Sequence, residues 1–212
     1  MWPSAVALAR WLVSYPELVR HKSVLELGAG CGLVGLVAGM LQQTAGQASD
    51  AATTTITDFN PVVLENARHN IGLNGLLSSS SSPVDVAQLD FYEQTGESFG
   101  TWRDGDGKAR PSVNVVLAAD IICQPDDAKA AARTIHDALC IEDGVAIVVC
   151  ADSKHRYGVD CLEEECAAVG LSVETTHNFM GNLKDDHFEL TAGYVQGMTL
   201  TKFVVRHQKP RR

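Results

Sequence analysis

Short apolar runs recur along the chain, at residues 23–27, 53–57, 84–89, 114–119, 145–150, 171–176 and 198–205. The first five are apolar on both faces, which is typical of strands in a sheet that helices cover. Helical patterns lie between them, at residues 33–43, 61–72 and 126–139. Because strands alternate with helices, the pattern predicts an α/β fold with a doubly wound parallel sheet.

The turn after the first strand, VLELGAGCGLVG at residues 24–35, contains two overlapping glycine signatures that start at Gly28 and Gly30. Both place backbone N–H groups at the carboxyl end of the strand, where open α/β sheets bind ligands. Glu26 precedes the turn, and a carboxylate there would repel the pyrophosphate of a dinucleotide but attract an ammonium and a sulfonium. The turn therefore favours S-adenosylmethionine over NAD, and we interpret the second signature as helix packing.

A second candidate site residue, Asp58, closes the second predicted strand in the segment TITDFNP. A carboxylate at this position can accept hydrogen bonds from both hydroxyls of a ribose, which fits NAD and S-adenosylmethionine equally. The alternative is that Asp58 caps the helix that Pro61 opens. Asn60 is itself a natural N-cap residue, so cofactor binding and capping both stay open for it. We predict that Asp58 binds the ribose.

Composition limits the function classes. The length of 212 residues suits one domain that spans residues 1–212. Lys and Arg total 17 against 26 Asp and Glu, and the formal net charge of -9 does not predict nucleic-acid binding. The basic stretch 202–212 is interpreted as a solvated terminus. Arg10 interrupts the apolar N-terminus, and no cleavage site follows, so neither a signal peptide nor a membrane span is predicted.

Six cysteines without a Cys-x-x-Cys pair favour free, mostly buried thiols rather than zinc ligands or disulfides. The expected compartment is the cytoplasm, with the nucleus as an alternative.

Three stretches have loop composition, at residues 78–82, 93–112 and 182–197. The first two predict flexible surface loops, and the third is placed to border a substrate cleft. For its Asp185, Asp186, His187 and Glu189, a solvated loop is favoured over a metal cluster, so no metal is predicted.

Five segments follow one another as the motifs of class I methyltransferases do, namely WPSAVALARWL, VLELGAGCGLVGLVA, TDFNPVVLENARHN, QLDF and VVLAADIIC. More narrowly, they resemble methyltransferase family 16, the seven-strand protein-lysine methyltransferases. The resemblance covers residues 2–150 well and the remainder loosely. It implies a mostly parallel, seven-stranded sheet with an antiparallel last strand, S-adenosylmethionine as the cofactor, and a lysine of a protein as the methyl acceptor.

The resemblance also implies a cofactor site around the first three strands. It assigns to this site Trp2 of the Trp-Pro motif, the glycine turn Gly28, Ala29 and Gly30, the ribose acid Asp58, Phe91 near adenine, and the backbone of Ala119. Relatives usually carry tryptophan where this chain has Phe91. Phenylalanine still offers adenine an apolar face, but it lacks the indole N–H.

At the acceptor site, family members often carry Asp-x-x-Tyr after the fourth strand, and here the segment ends in Asp120 and Cys123. We expect Asp120 to line the acceptor site rather than cap a helix. An acid beside a lysine amine raises the pKa of that amine, so we assign Asp120 a steering role. Cys123 supplies neither an aromatic ring nor a phenol, which affects lysine specificity more than cofactor binding. For His155 and Arg156, substrate contact and a surface loop are equally open.

These observations predict a monomeric, S-adenosylmethionine-dependent methyltransferase that acts on a lysine of a protein, without nucleic-acid or membrane partners. Three alternatives stay open: an NAD-dependent oxidoreductase, a non-catalytic binding module with the same fold, and a methyltransferase for histidine, an N-terminal amine or a small molecule. Relatives usually carry a segment ahead of the Trp-Pro motif. Here Met1 directly precedes Trp2, so either the sequence is short or the acceptor site is open.

Overall fold

The structure, a computed structural model, describes residues 1–43, 53–76, 84–97, 100–179 and 197–208. The serine-rich stretch 78–82 and residues 182–196, with Asp185, Asp186, His187 and Glu189, lie outside the described residues. In chain order the helices and strands are α1 (Pro3–Ser14), β1 (Val24–Leu27), α2 (Leu33–Gln43), β2 (Thr54–Asp58), α3 (Pro61–Leu73), β3 (Val84–Gln88), β4 (Thr101–Arg103), β5 (Ala109–Pro111), β6 (Val115–Ala119), α4 (Pro125–Ala138), β7 (Val145–Ala151), α5 (Leu162–Ala168), β8 (Leu171–Thr176) and β9 (Leu200–His207).

Seven strands form one sheet in the order β3-β2-β1-β6-β7-β9-β8. The first five of these run parallel, and β9 lies antiparallel between β7 and β8. The predicted doubly wound sheet with an antiparallel last strand is therefore confirmed. Because the chain order reverses between β1 and β6, the carboxyl ends of these two strands form the topological switch point where such sheets bind ligands.

Apolar side chains from both faces of the sheet are buried against helices. In β1, Leu25 and Leu27 belong to the core cluster that includes α4 and α5 residues, whereas Val24 packs in the cluster with α1 and α2. Burying these side chains is the main favourable contribution to folding. Glu26 departs from this pattern, because it lies in the same strand and is only 2% exposed. A buried carboxyl group is unfavourable for packing, which indicates another role.

Within the stretch 93–112, predicted as a flexible surface loop, residues 101–111 form a two-stranded antiparallel hairpin of β4 and β5, so that prediction was wrong there. Trp102 of β4 is 2% exposed and packs in the core cluster that contains α4 residues. Asp104 accepts hydrogen bonds from the Lys108 N–H (2.9 Å) and the Arg110 Nε–H (2.9 Å), which close the turn. The glycine and aspartate residues thus form the turn, while the large apolar side chain of Trp102 anchors the hairpin in the core.

The helices are short. Among the helices in the described residues, the longest, α4, has 14 residues. Within the part of the chain that the structure describes, no helix combines the length and the apolarity that crossing a membrane requires.

Candidate functional site

A cavity of about 310 Å³ opens at the carboxyl ends of β1, β2 and β6, at the switch point of the sheet. The residues that line it are Met1, Trp2, Ala5, Glu26, Gly28, Ala29, Gly30, Cys31, Asp58, Phe59, Phe91, Ala119, Asp120 and Ile121. Of the residues predicted for the cofactor and acceptor sites, this set contains all except Asn60 and Cys123. Phe59, which the sequence analysis did not assign, directly follows Asp58 and is 61% exposed.

The glycine turn bends the chain sharply after β1. Gly28 has a φ of 58°, in the left-handed region that favours glycine. A Cβ atom added at Gly28 would also lie 2.7 Å from Ile121 Cγ2, so the cavity wall leaves no room for a side chain. The Ala29 N–H donates to the carbonyl oxygen of Thr57 (2.9 Å), which ties the turn to β2. The turn is therefore a close-packed part of the cavity wall.

Gly35 supports the packing interpretation of the second glycine signature. A Cβ atom at Gly35 would overlap the Glu26 carboxyl group and would lie 2.6 Å from Ile56 Cγ1. The absence of a side chain at this position lets α2 approach β1 and β2 closely. No phosphate contact is needed to explain this third glycine.

Asp58 ends β2 and is 7% exposed. Its Oδ2 accepts a hydrogen bond from the Gly30 N–H (3.1 Å), and its Oδ1 accepts one from the Asn60 N–H (3.0 Å). Helix α3 is capped by Asn60, whose Oδ1 accepts from the Val62 N–H (3.0 Å), so the capping role considered for Asp58 belongs to Asn60. Each carboxylate oxygen can accept more than one hydrogen bond, so Asp58 can also bind hydroxyl groups in the cavity.

Glu26 lies in the cavity wall, and its Oε2 has no hydrogen-bond partner among the described residues. Burial raises the pKa of Glu26 to about 8, despite hydrogen bonds from the backbone of Gly35 and Val34, and the nearby charge of Asp58 raises it further. The sequence argument treated this side chain as a carboxylate, whereas burial favours its protonated form. A cation placed beside it would favour its ionised form.

Phe91 lines the cavity and stacks on Tyr92, with ring centroids 5.4 Å apart and an interplanar angle of 26°. The Tyr92 hydroxyl donates to Asp127, and this hydrogen bond raises the pKa of Tyr92 to about 12. Asp127 also accepts from the N–H groups of Cys123 (2.8 Å) and Gln124 (2.9 Å). Asp127, and not Asp120, thus holds the start of α4. The position of Asp127 near the start of a helix was predictable from the sequence, but its contact with Tyr92 was not, because the two residues lie 35 residues apart.

Asp120 follows β6 with a φ of 61°, and its side chain is 2% exposed. It has a partner that the sequence analysis did not identify. Arg156 Nε–H donates to Asp120 Oδ1 (3.1 Å), and Arg156 Nη2–H donates to Oδ2 (2.7 Å). Substrate contact and a surface loop were the two roles considered for Arg156, and neither included this ion pair. Cys123 is exposed beside it, at the turn into α4.

Comparisons with known proteins point to one family of enzymes. A family model described as lysine methyltransferase matches residues 1–164. The mouse protein-lysine N-methyltransferase EEF2KMT is 31% identical over 128 residues, which are 57% of this chain and 33% of the relative. The calmodulin-lysine N-methyltransferase of Arabidopsis thaliana is 28% identical over 193 residues, 91% of this chain and 57% of the relative. This chain thus spans from a third to under three fifths of these relatives.

Among solved structures, the CcbJ methyltransferase of Streptomyces caelestis superposes with a TM-score of 0.62. The alignment covers 98% of this chain and 90% of that one, at 13% sequence identity. An identity this low supports the shared fold alone.

Proposed function

Because the chain belongs to the lysine methyltransferase family, we propose that it transfers a methyl group from S-adenosylmethionine to the side-chain amine of a lysine in a protein. The observation that carries the proposal is the cavity at the switch point. The glycine turn, Asp58 and Asp120 line one volume there, at the carboxyl ends of three adjacent strands. Residues predicted for the cofactor site and for the acceptor site thus line a single cavity, which supports the proposal.

The residues of the cavity wall fit S-adenosylmethionine. Asp58 would accept hydrogen bonds from the ribose, and Phe91 would offer adenine an apolar face. The buried carboxyl group of Glu26, which lacks a partner at Oε2, suits the ammonium of the methionine part. Asn60 caps α3, and its predicted contact with the cofactor stays a prediction.

When bound, S-adenosylmethionine supplies a methyl group that its sulfonium already activates. The protein must align the acceptor amine with this group and exclude water. Asp120 lies at the acceptor end, beside Ala119 and Ile121. The chain's own contribution to catalysis is therefore orientation, together with control of the charge around the amine.

A protein is the proposed partner, and the relatives point to this class of acceptor: one of them is named for calmodulin. The acceptor protein of this chain is a separate question, since the chain spans only part of those relatives. A monomeric state, a cytoplasmic location and the absence of nucleic-acid and membrane partners stay predictions of the sequence.

Glu26 gives cofactor binding a pH dependence. Because the pKa of Glu26 is about 8, Glu26 must lose its proton before it can pair with the cofactor's ammonium, and this loss costs free energy below pH 8. The affinity for S-adenosylhomocysteine, which retains the ammonium, should therefore rise about tenfold between about pH 6 and pH 8. Glu26→Gln should remove most of this rise while leaving the neutral form's hydrogen-bonding capacity. Calorimetry at the two pH values measures both, and an equal rise in the variant would mean that Glu26 does not face the ammonium.

A substitution at Cys123 tests how far the proposed acceptor site departs from that of the relatives. Cys123→Tyr is expected to retain lysine methylation or raise it about twofold, because the ring would restore a cation-π and phenol contact. Cys123 is exposed, so the larger side chain displaces no core atoms. Cys123→Ser is the matched control, with a small hydroxyl and no ring. Lower activity in the tyrosine variant alone would show that this acceptor pocket is built differently.

Calorimetry with S-adenosylhomocysteine and NADH separates the proposal from its first alternative. Binding of S-adenosylhomocysteine at micromolar concentration, without binding of NADH, is expected. The reverse would make the chain an oxidoreductase candidate. Cofactor binding without methylation of any protein would favour the non-catalytic module.

A further inference from the structure

The ion pair of Asp120 and Arg156 joins two parts of the cavity wall. The guanidinium makes two hydrogen bonds to the carboxylate, and its Cζ lies 5.1 Å from the centre of the Trp2 ring. Both Asp120 and Trp2 line the cavity. Burial alone would lower the pKa of Arg156. The hydrogen bonds and the charge of Asp120 outweigh burial, so the pKa of Arg156 lies above its ordinary range. The pair is therefore a strongly coupled salt bridge at the acceptor end.

The loop that carries Arg156 is fixed at both ends. Asp152 accepts hydrogen bonds at Oδ2 from the backbone N–H (3.0 Å) and the hydroxyl (2.9 Å) of Thr199, and its carbonyl oxygen accepts from the Arg156 N–H (3.0 Å). Gly158 packs so closely on Gln124 that an added Cβ atom would overlap the Gln124 carbonyl group. The guanidinium is thus placed by the packing of the loop and does not depend on contact with a substrate.

The pairing changes the charge that an acceptor amine meets. An uncompensated carboxylate beside a lysine favours the ammonium form, which has no lone pair for attack on a methyl group. The free lysine pKa is about 10.4, so most lysine amines are already protonated at neutral pH. A carboxylate alone would therefore strengthen binding of the unreactive form.

We propose that Arg156 is a positioning residue that compensates the charge of Asp120, so that the acceptor end of the cavity admits lysine as a neutral amine. Asp120 keeps an oriented carboxylate at the site, while the pair as a whole adds no net charge. The role of the pair in methyl transfer to the amine rests on the proposed function. The charge compensation itself is a property of the free protein.

Cys123 is a reporter of this charge, because it is exposed and the charges of both Arg156 and Asp120 act on its thiol. Burial raises the pKa of Cys123; the charge of Arg156 lowers it, and the charges of Asp127 and Asp120 raise it. Cys150, on β7, is also a titratable group near the pair, and burial raises its pKa to about 12, so it stays neutral at working pH. Arg156, Asp127 and Asp120 therefore all contribute to the potential at Cys123.

Alkylation of Cys123 with iodoacetamide, followed by peptide mass spectrometry across a pH series, measures this potential directly. Arg156→Gln should raise the thiol pKa by about half a unit or more, Asp120→Asn should lower it by a similar amount, and the double variant should lie near the wild type. Lys154→Gln removes a cation from the same loop at an exposed position and is the matched control. Identical thiol titrations in all variants would overturn the charge assignment.

The pH profile of kcat, measured with a methyl-accepting protein from lysate, supplies the second test. In Arg156→Gln the pH at which kcat rises should increase by about one unit, and in Asp120→Asn it should decrease. In the double variant it should return to near the wild-type value. A loss of rate without a shift, equal in the single and double variants, would show a merely structural role for Arg156. If the Cys123 titrations shift as expected but the wild type methylates no lysine, the proposed function fails while the charge compensation stands.

Discussion

Replacing Asp120 with alanine is expected to lower methyl transfer at least about a hundredfold, with less than about a threefold change in S-adenosylhomocysteine affinity. Asp120 lines the acceptor end of the cavity and holds the Arg156 guanidinium by two hydrogen bonds. Its removal takes away the carboxylate that orients the acceptor amine, while the glycine turn, Asp58 and Glu26 still line the cavity. The loss therefore appears in the chemical step rather than in cofactor binding.

Two measurements on one preparation check this prediction: the initial rate of methyl transfer and the calorimetric affinity for S-adenosylhomocysteine. Asp126→Ala is the matched control, because it removes an exposed acid from the first turn of α4. Asp120→Asn should retain more activity than the alanine variant, since asparagine tolerates the φ of 61° and keeps an acceptor oxygen. If affinity fell as far as activity, Asp120 would belong to the cofactor pocket.

The second large effect is expected at Asp58. Asp58→Ala should weaken S-adenosylhomocysteine binding about a hundredfold, because two kinds of interaction are lost together. The first is the proposed pair of ribose hydrogen bonds. The second is the hydrogen bond from the Gly30 N–H to Oδ2, which holds the glycine turn against the end of β2.

Calorimetry measures this loss, and circular dichroism verifies that the variant is folded. Asp85→Ala removes an exposed acid from the neighbouring strand β3 and should leave the affinity unchanged. An Asp58→Ala variant that binds S-adenosylhomocysteine as the wild type does would place the ribose elsewhere.

The sheet could be predicted from the sequence because its strands are apolar runs separated by clear turns. Each of the seven predicted strands is present with ends within two residues of the prediction. The hairpin of β4 and β5 escaped prediction, since its strands have three residues each and only Trp102 is buried in them. Helix α5 also left little signal: it has seven residues, of which only Leu162 and Cys166 are buried.

The clustering of the predicted cofactor residues in one cavity was predictable, because these residues follow strand ends in short motifs. The glycine turn follows β1, and Asp58 ends β2, so local sequence identifies both. The state of the side chains was not predictable in the same way. The protonation of Glu26 depends on burial by α2, and the partner of Asp120 lies 36 residues away, beyond α4 and β7. Such contacts depend on tertiary packing, which a single sequence does not specify.

The most direct test of the central claim is transfer of a labelled methyl group from S-adenosylmethionine to the proteins of a cell lysate, with mass spectrometry of the labelled sites. The wild-type chain should label at least one protein, on lysine, and Asp58→Ala and Asp120→Ala should not. Label on another residue type, or no label from a folded protein that binds S-adenosylhomocysteine, would contradict a lysine methyltransferase.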